Sequence, residues 1–94
     1  MYIVYLDYHR PLDEVEALLA PHIAWLDKYF AANLFLAAGR KDPRTGGTIM
    51  VKDIDRHQLD SILAEDPFQA VAKYEVTKIN ITRAAPALAK LVGQ

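Results

Sequence analysis

The chain has 94 residues and no cysteine, and its 11 Lys and Arg against 12 Asp and Glu leave a net charge of −1. This length fits one domain, residues 1–94, and the near-neutral charge argues against a general nucleic-acid binder, while the lack of cysteine excludes disulfides, thiol catalysis and zinc–thiolate sites. We expect a cytoplasmic protein without membrane partners, because the N-terminus lacks the charge pattern of a signal peptide and no apolar run approaches about 20 residues.

The first strand and a long helical region are predicted from the amino-terminal third of the chain. Residues 2–8 are rich in β-branched and aromatic residues, and both faces of this strand are apolar, which is typical of a strand covered on both sides. Asp13, followed by Glu16, predicts the start of a helical region that extends to about Asn33. Because Pro21 interrupts the pattern, we expect a short helical turn and then a main helix beginning near Pro21.

The remaining residues predict three more strands, each separated by turn signals, and two more helices. The strands are residues 34–40, 48–53 and 73–82, and the helices are residues 56–64, capped by Asp55, and 84–92. The turn at 65–68 leads into a short helical piece that ends near Val71. The order β-α-β-β-α-β is the ferredoxin-like pattern, an α+β fold with a four-stranded antiparallel sheet and helices on one face. Its open face would be apolar, so we expect a homodimer formed through that face.

His22 is the first candidate for chemistry, because it lies in the middle of an apolar helical face. At about 100° per residue, the side chains that share this face are Val15, Leu18, Leu19, Leu26, Tyr29 and Phe30. A buried imidazole without a partner costs about 1–3 kcal/mol. His22 is therefore either a core histidine bonded to a carbonyl or carboxylate, or the base of a small active site.

Asp66 is the second candidate, in the segment Glu65-Asp66-Pro67-Phe68. An aspartate before proline, directly after a helix, either caps the helical piece that follows or orients the imidazole of His22. Both helices of a ferredoxin-like fold lie on the same face of the sheet, so the two residues can meet.

The end of the second strand, residues 37–40, consists of two alanines, Gly39 and Arg40. Small residues there admit the close approach of either a ligand or a neighbouring helix. Arg40 and Arg44 are either contacts for an anionic substrate or solvated loop cations. The loop that contains Arg44 lacks the lysine and the spacing of a phosphate-binding loop.

The sequence contains no pattern that predicts a metal or cofactor site. His9 and His57 are far from His22 in sequence, no His-x-x-x-His pair or carboxylate cluster occurs, and we expect no metal. Glycine-rich nucleotide-binding motifs are also absent, so no cofactor is predicted.

The candidate residues together resemble the YciI-like (YCII-related) family over nearly the whole chain. The segments that carry the resemblance are the first strand, residues 20–26 with Pro21-His22, residues 34–39, residues 44–47, residues 65–68 and residues 74–76. The resemblance implies a ferredoxin-like dimer of the dimeric α+β barrel type. The family's shared histidine and aspartate, taken to imply enzymatic activity, fall on His22 and Asp66. One relative in chlorinated-aromatic degradation is a dehydrochlorinase, which implies that acid/base elimination is within the family's reach.

The sequence departs from the family pattern in two places. Arg40 stands where many relatives have proline, which changes the rim of the expected pocket. His22 follows Pro21 directly, where other members place one residue between them, which shifts the helix start. Neither departure removes the histidine or the aspartate.

We expect a small cofactor-free enzyme that uses acid/base chemistry for elimination, isomerisation or hydrolysis of a small organic molecule. His22 would move the proton and Asp66 would hold the imidazole, while Gly39, Arg40 and Phe68 would contact the substrate. Two alternatives stay open: a non-catalytic module that binds a small ligand or a partner enzyme, and a purely structural pair of His22 and Asp66.

Overall fold

A computed structural model describes residues 1–94 and contains a four-stranded antiparallel sheet with helices packed on it. The elements in chain order are β1 (Tyr2–Tyr8), α1 (Leu12–Ala17), α2 (Leu19–Ala31), β2 (Phe35–Arg40), β3 (Gly46–Val51), α3 (Arg56–Ala64) and β4 (Ala72–Lys78). Two 3₁₀ helices, Pro67–Ala70 and Pro86–Leu91, lie before and after β4. The strand order β2-β3-β1-β4 confirms the predicted α+β, ferredoxin-like fold.

The core lies between the helices and one face of the sheet. Tyr2, Val4 and Leu6 alternate along β1 and are buried, because successive side chains of a strand point to opposite faces. The helices contribute Val15, Trp25, Tyr29, Leu59, Ile62 and Leu63 to the same cluster. None of the helices has both the length and the apolar composition required to cross a bilayer.

The second face of β1 is only partly covered within one chain. Ile3 is half-buried and Tyr5 is 39% exposed on this face. Sequence patterning predicts cover on both sides of β1, but the helices pack on the face that carries Val4 and Leu6 alone.

The first helix starts differently from the prediction. α1 begins at Leu12 after Pro11, and no side chain caps it. The Asp13 carboxylate accepts only the N–H of Glu14, so the predicted capping by Asp13 and Glu16 is wrong. Proline has a fixed φ that suits a helix entrance, and it takes the place predicted for a polar cap.

The break between the two helical segments is at Leu18, and α2 begins at Leu19 rather than at Pro21. The first turn of a helix has no intrahelical partners for its N–H groups, so a proline at the third position loses no hydrogen bond. The N–H of His22 donates to the carbonyl of Leu18 at 3.0 Å, the first bond of the helical ladder after the proline. α2 ends at Ala31, two residues early, because Asn33 adopts φ 61°, a left-handed conformation that stops helices.

β3 begins at Gly46, inside the predicted loop, because Gly46 and Gly47 pair with Asp7 and Leu6 of β1. A Cβ at Gly46 would lie 1.8 Å from the carbonyl oxygen of Leu6, so only glycine allows this pairing. Gly46 and Gly47, which the sequence predicts as turn residues, are therefore strand residues.

The carboxy-terminal elements are shorter than predicted. β4 ends at Lys78 rather than at residue 82, because its partner strand β1 begins at Tyr2, directly opposite Lys78. The predicted final helix is a 3₁₀ helix, and the N-cap residue Asp55 of α3 makes no side-chain capping bond.

Candidate functional site

His22 and Asp66 are in direct contact in the interior of the protein. His22 is the fourth residue of α2, and Asp66 is the residue that precedes the 3₁₀ helix Pro67–Ala70. The Nδ1 atom of His22 lies 2.7 Å from Oδ1 of Asp66. His22 is 9% exposed and Asp66 is 2% exposed, so the pair is largely shielded from water.

The Asp66 carboxylate accepts three hydrogen bonds in this buried position. Its Oδ1 atom accepts the N–H of Phe68 at 2.9 Å as well as the bond from His22. Its Oδ2 atom accepts the hydroxyl of Tyr74. Asp66 therefore caps the 3₁₀ helix and binds His22 at the same time, and the two roles left open by the sequence do not compete.

The contact with Asp66 determines which nitrogen of His22 carries the proton. A carboxylate only accepts hydrogen bonds, so Nδ1 of His22 carries a hydrogen and donates it to Asp66. The other nitrogen, Nε2, makes no hydrogen bond within the protein and is not among the buried atoms that lack a partner, so it remains accessible. In the neutral imidazole Nε2 has a free electron pair that can accept a proton or a hydrogen bond from a ligand.

Aromatic rings hold the imidazole in one orientation. The Phe68 ring stacks on the imidazole with 3.7 Å between ring centroids and an angle of 2° between planes. The Trp25 ring lies 5.6 Å away on the same helix, and its Nε1–H donates to the carbonyl of Ile62 at 2.9 Å. Because Asp66 and both rings contact it, His22 has little freedom to rotate.

A cavity of about 340 Å³ adjoins His22 between the helices and the β2–β3 end of the sheet. Four of the five predicted site residues line it, namely His22, Gly39, Arg40 and Phe68, and Asp66 lies behind His22. The volume is at the small end of the range of about 300–1,000 Å³ for small-molecule sites. Most of the other lining side chains are aliphatic.

Gly39 borders open space rather than a neighbouring element. A Cβ added to Gly39 would meet no atom within 4 Å, because Gly39 pairs with Thr48 and so shares with Tyr5 the sheet face that the helices leave open. The two alternatives for these small residues, a ligand or a neighbouring helix, stay predictions, and Gly39 itself is among the residues that line the cavity. His9 and His57 are exposed and lie outside the cavity.

Two residues of this site, Tyr74 and Tyr8, were not predicted from the sequence. Tyr74 lies on β4, and burial together with the hydrogen bond to Asp66 raises the pKa of its phenol. Tyr8 ends β1, lines the cavity and packs edge-on against Phe68 with ring centroids 5.9 Å apart. Strand alternation is the sequence signal that could have identified them, because it places Tyr8 and Tyr74 on the sheet face that carries Leu6.

The site thus combines a buried carboxylate, an oriented imidazole and a largely apolar cavity. A sequence model of the YCII-related domain matches residues 1–81 of the 94-residue chain. The chain belongs to the YCII-related domain family. The match covers β1 to β4 and includes every member of the His22–Asp66 site. No curated protein matches the chain in sequence.

Proposed function

We propose that this YCII-related protein is an acid/base enzyme that acts on a small organic molecule in the cavity beside His22. The observation that carries the proposal is the contact between Nδ1 of His22 and the buried carboxylate of Asp66, which leaves Nε2 free next to the cavity. An imidazole whose tautomer is held by a carboxylate is a common arrangement for a general base.

In this mechanism Nε2 of His22 takes a proton from the substrate and later returns it to the substrate or the leaving group. The negative charge of Asp66 stabilises the imidazolium that forms, and Phe68 keeps the ring in plane. Elimination, isomerisation and hydrolysis each need such a transfer. Gly39 and Arg40 also line the cavity, where they can contact the remainder of the substrate. A cysteine-free chain suits a reducing compartment, so we propose that the protein acts in the cytoplasm.

The proposal is tested by proton exchange, which needs no knowledge of the physiological substrate. A panel of small carbonyl compounds and carboxylic acids is incubated with the protein in D₂O, and loss of acidic C–H signals is followed by NMR. We expect the wild-type protein to accelerate exchange of at least one compound, and His22→Gln to reduce that acceleration by about 10²–10⁴-fold, since this is the usual contribution of a general base.

His57→Gln is the matched control, because His57 is exposed and does not line the cavity. Asp66→Asn should also slow exchange, because an amide in place of the carboxylate no longer stabilises the imidazolium. Exchange that continues at the wild-type rate in His22→Gln would show that the assignment of His22 is wrong.

A second candidate function is the binding of a small ligand without chemistry. The composition of the cavity favours it, because 8 of the 14 lining residues are hydrophobic and His22 is the only histidine among them. This function predicts that a ligand is recovered from the protein chemically unchanged and that His22→Gln still binds it.

A further inference from the structure

Arg44 lies in the loop between β2 and β3 and lines the same cavity as His22. Its side chain is 26% exposed, and its Nη1 atom bonds to the carboxylate of Glu16 on α1. This hydrogen bond raises the pKa of Arg44, so the guanidinium stays charged. Glu16 of α1 therefore binds the Arg44 guanidinium through Nη1 alone.

The other two nitrogens of Arg44 have no partner in the protein. Nε and Nη2 are buried, and they are the only buried side-chain nitrogen or oxygen atoms of the chain without a hydrogen bond. The hydroxyl of Tyr8 lies close enough for a weak hydrogen bond that contributes to the raised pKa of Arg44, but neither Nε nor Nη2 has a partner at full hydrogen-bond geometry. Buried polar groups are nearly always hydrogen-bonded, so this pair of donors indicates a missing acceptor.

The geometry of the two donors indicates the shape of that acceptor. The N–H groups of Nε and Nη2 point in parallel from one edge of the planar guanidinium, and this fork matches the two oxygens of a carboxylate. Neighbouring atoms cover both nitrogens in the structure, so a ligand oxygen would reach them through a small rotation of the partly exposed side chain.

The charges around the cavity favour an anion. Arg40 also lines the cavity and forms no ion pair, whereas no Asp or Glu side chain is part of the wall. The carboxylate of Glu16 pairs with Arg44 alone, so the unpaired Arg40 leaves an excess of positive charge at the cavity wall.

The rest of the wall suits an apolar body. Leu19, Ile23 and Leu26 of α2 line the cavity on one side, and Ile49 of β3 lines it on the other. A ligand that fills the cavity would therefore place apolar atoms against α2 and its charged group against the β2–β3 loop.

We propose that the cavity binds a small monocarboxylic acid with an apolar body, whose carboxylate is held by Nε and Nη2 of Arg44 with Arg40 as the second cation. The inference rests on the proposed function insofar as both place a ligand beside His22, but it needs no chemistry at His22. It assigns Arg44 as the residue that determines the charge of the ligand.

The test uses two acid–amide pairs of matched shape, benzoate with benzamide and hexanoate with hexanamide, titrated into the wild-type protein and followed by NMR. We expect at least one acid to bind about tenfold or more tightly than its amide, and its affinity to fall as salt is raised, because charge-assisted contacts are screened. Equal affinity for acid and amide would overturn the proposal without any variant being made.

Arg44→Gln should weaken binding of the acid by about 10- to 100-fold, which is the range for a lost hydrogen-bonded charge contact. Arg83→Gln is the matched control, since Arg83 is exposed, does not line the cavity and should leave the affinity unchanged. Arg44→Lys keeps the charge without the fork and should recover only part of the affinity. If Arg44→Gln fails to fold, Arg44→Lys and the comparison of acid with amide decide the matter.

Two further outcomes distinguish carboxylate binding at Arg44 from phosphate binding and from acid/base chemistry at His22. Phenyl phosphate that binds more tightly than benzoate, with the same dependence on Arg44, would overturn the assignment to carboxylates. Acid binding that persists in His22→Gln while proton exchange is absent from the wild-type protein would support the carboxylate site and count against the acid/base function.

Discussion

The carboxylate of Asp66 joins three separate parts of the chain. It accepts from the imidazole of α2, from the backbone N–H of Phe68 and from the phenol of Tyr74 on β4. A buried carboxylate is stable only when such donors surround it, because burial otherwise removes its hydration without replacement. Loss of His22 alone leaves two donors in place, so the structural and chemical roles of the pair can be separated by substitution.

Tyr74→Phe should destabilise the protein in a pH-dependent way. The raised pKa of Tyr74 means that the neutral phenol is favoured in the folded state, so its contribution to stability is complete below the ordinary value of 10.0 and decreases as pH rises above it. Removing a hydrogen bond to a charged group should lower the free energy of unfolding by about 1.5–3 kcal/mol near neutral pH. Urea unfolding at a series of pH values measures the difference between wild type and variant.

The control for this prediction is Tyr5→Phe, because Tyr5 lies on the opposite face of the sheet and contacts neither Asp66 nor the cavity. The difference between wild type and Tyr74→Phe should shrink above about pH 10, the ordinary pKa of a tyrosine. A difference that stays constant through the alkaline range would contradict the coupling of Tyr74 to Asp66.

At the scale of elements, the site lies at the start of α2, at the start of the 3₁₀ helix Pro67–Ala70 and beside the β2–β3 hairpin. The first turn of α2 carries His22, and the start of the 3₁₀ helix carries Asp66. The β2–β3 hairpin supplies Gly39 and Arg40 to the cavity. The position of β3 against β1 therefore controls how far the hairpin lies from α2.

Gly46→Ala should disrupt this arrangement, because a Cβ would lie 1.8 Å from the carbonyl oxygen of Leu6. The clash is with backbone atoms of Leu6, which cannot move aside as the end of a flexible side chain can. We therefore expect a loss of about 3 kcal/mol or more in the free energy of unfolding. Gly39→Ala is the matched control on the adjacent strand, because its Cβ would meet nothing within 4 Å. We expect Gly39→Ala to change stability by less than about 1 kcal/mol.

Thermal and urea unfolding of both variants measure the two effects. A Gly46→Ala protein as stable as the wild type would show that β1 and β3 are not paired in the register described for Gly46 and Asp7.

At the scale of the whole molecule, the sheet has one face covered by helices and one face open. Ile3, Tyr5 and Met50 lie on the open face, and Lys73 and Glu75 of β4 form a polar border to them. We propose that a second copy of the chain covers this face, in the manner of a dimeric α+β barrel, because partly exposed apolar residues on a sheet are typical of an interface.

Sedimentation at micromolar concentration should give twice the 10.6 kDa mass of the chain. Tyr5→Glu should shift the protein towards the monomer, because it places a charge in the apolar part of the open face. Leu12→Glu is the control, since Leu12 is exposed on α1 and the helices lie on the other side of the sheet. A wild-type protein that sediments as a monomer would contradict the proposal.

The local pattern of residues was sufficient to predict the order of elements and the fold class. The apolar periodicity of α2 is a property of neighbouring residues, and it identified the helical face that carries His22 and Tyr29, both buried. Boundaries were less predictable, because partners elsewhere determine them: Lys78 ends β4 only because β1 begins opposite it.

The composition of the site depended on residues far apart in the chain. His22 and Asp66 are separated by 44 positions and Glu16 and Arg44 by 28, so no local pattern predicts either contact. The sequence by itself determined which residues could do chemistry and that they belong on the covered face of the sheet. Only the tertiary structure decided that Asp66 binds Nδ1 of His22 and that two donors of Arg44 lack a partner, because the packing of α2 against the sheet and the 3₁₀ helix determines those distances.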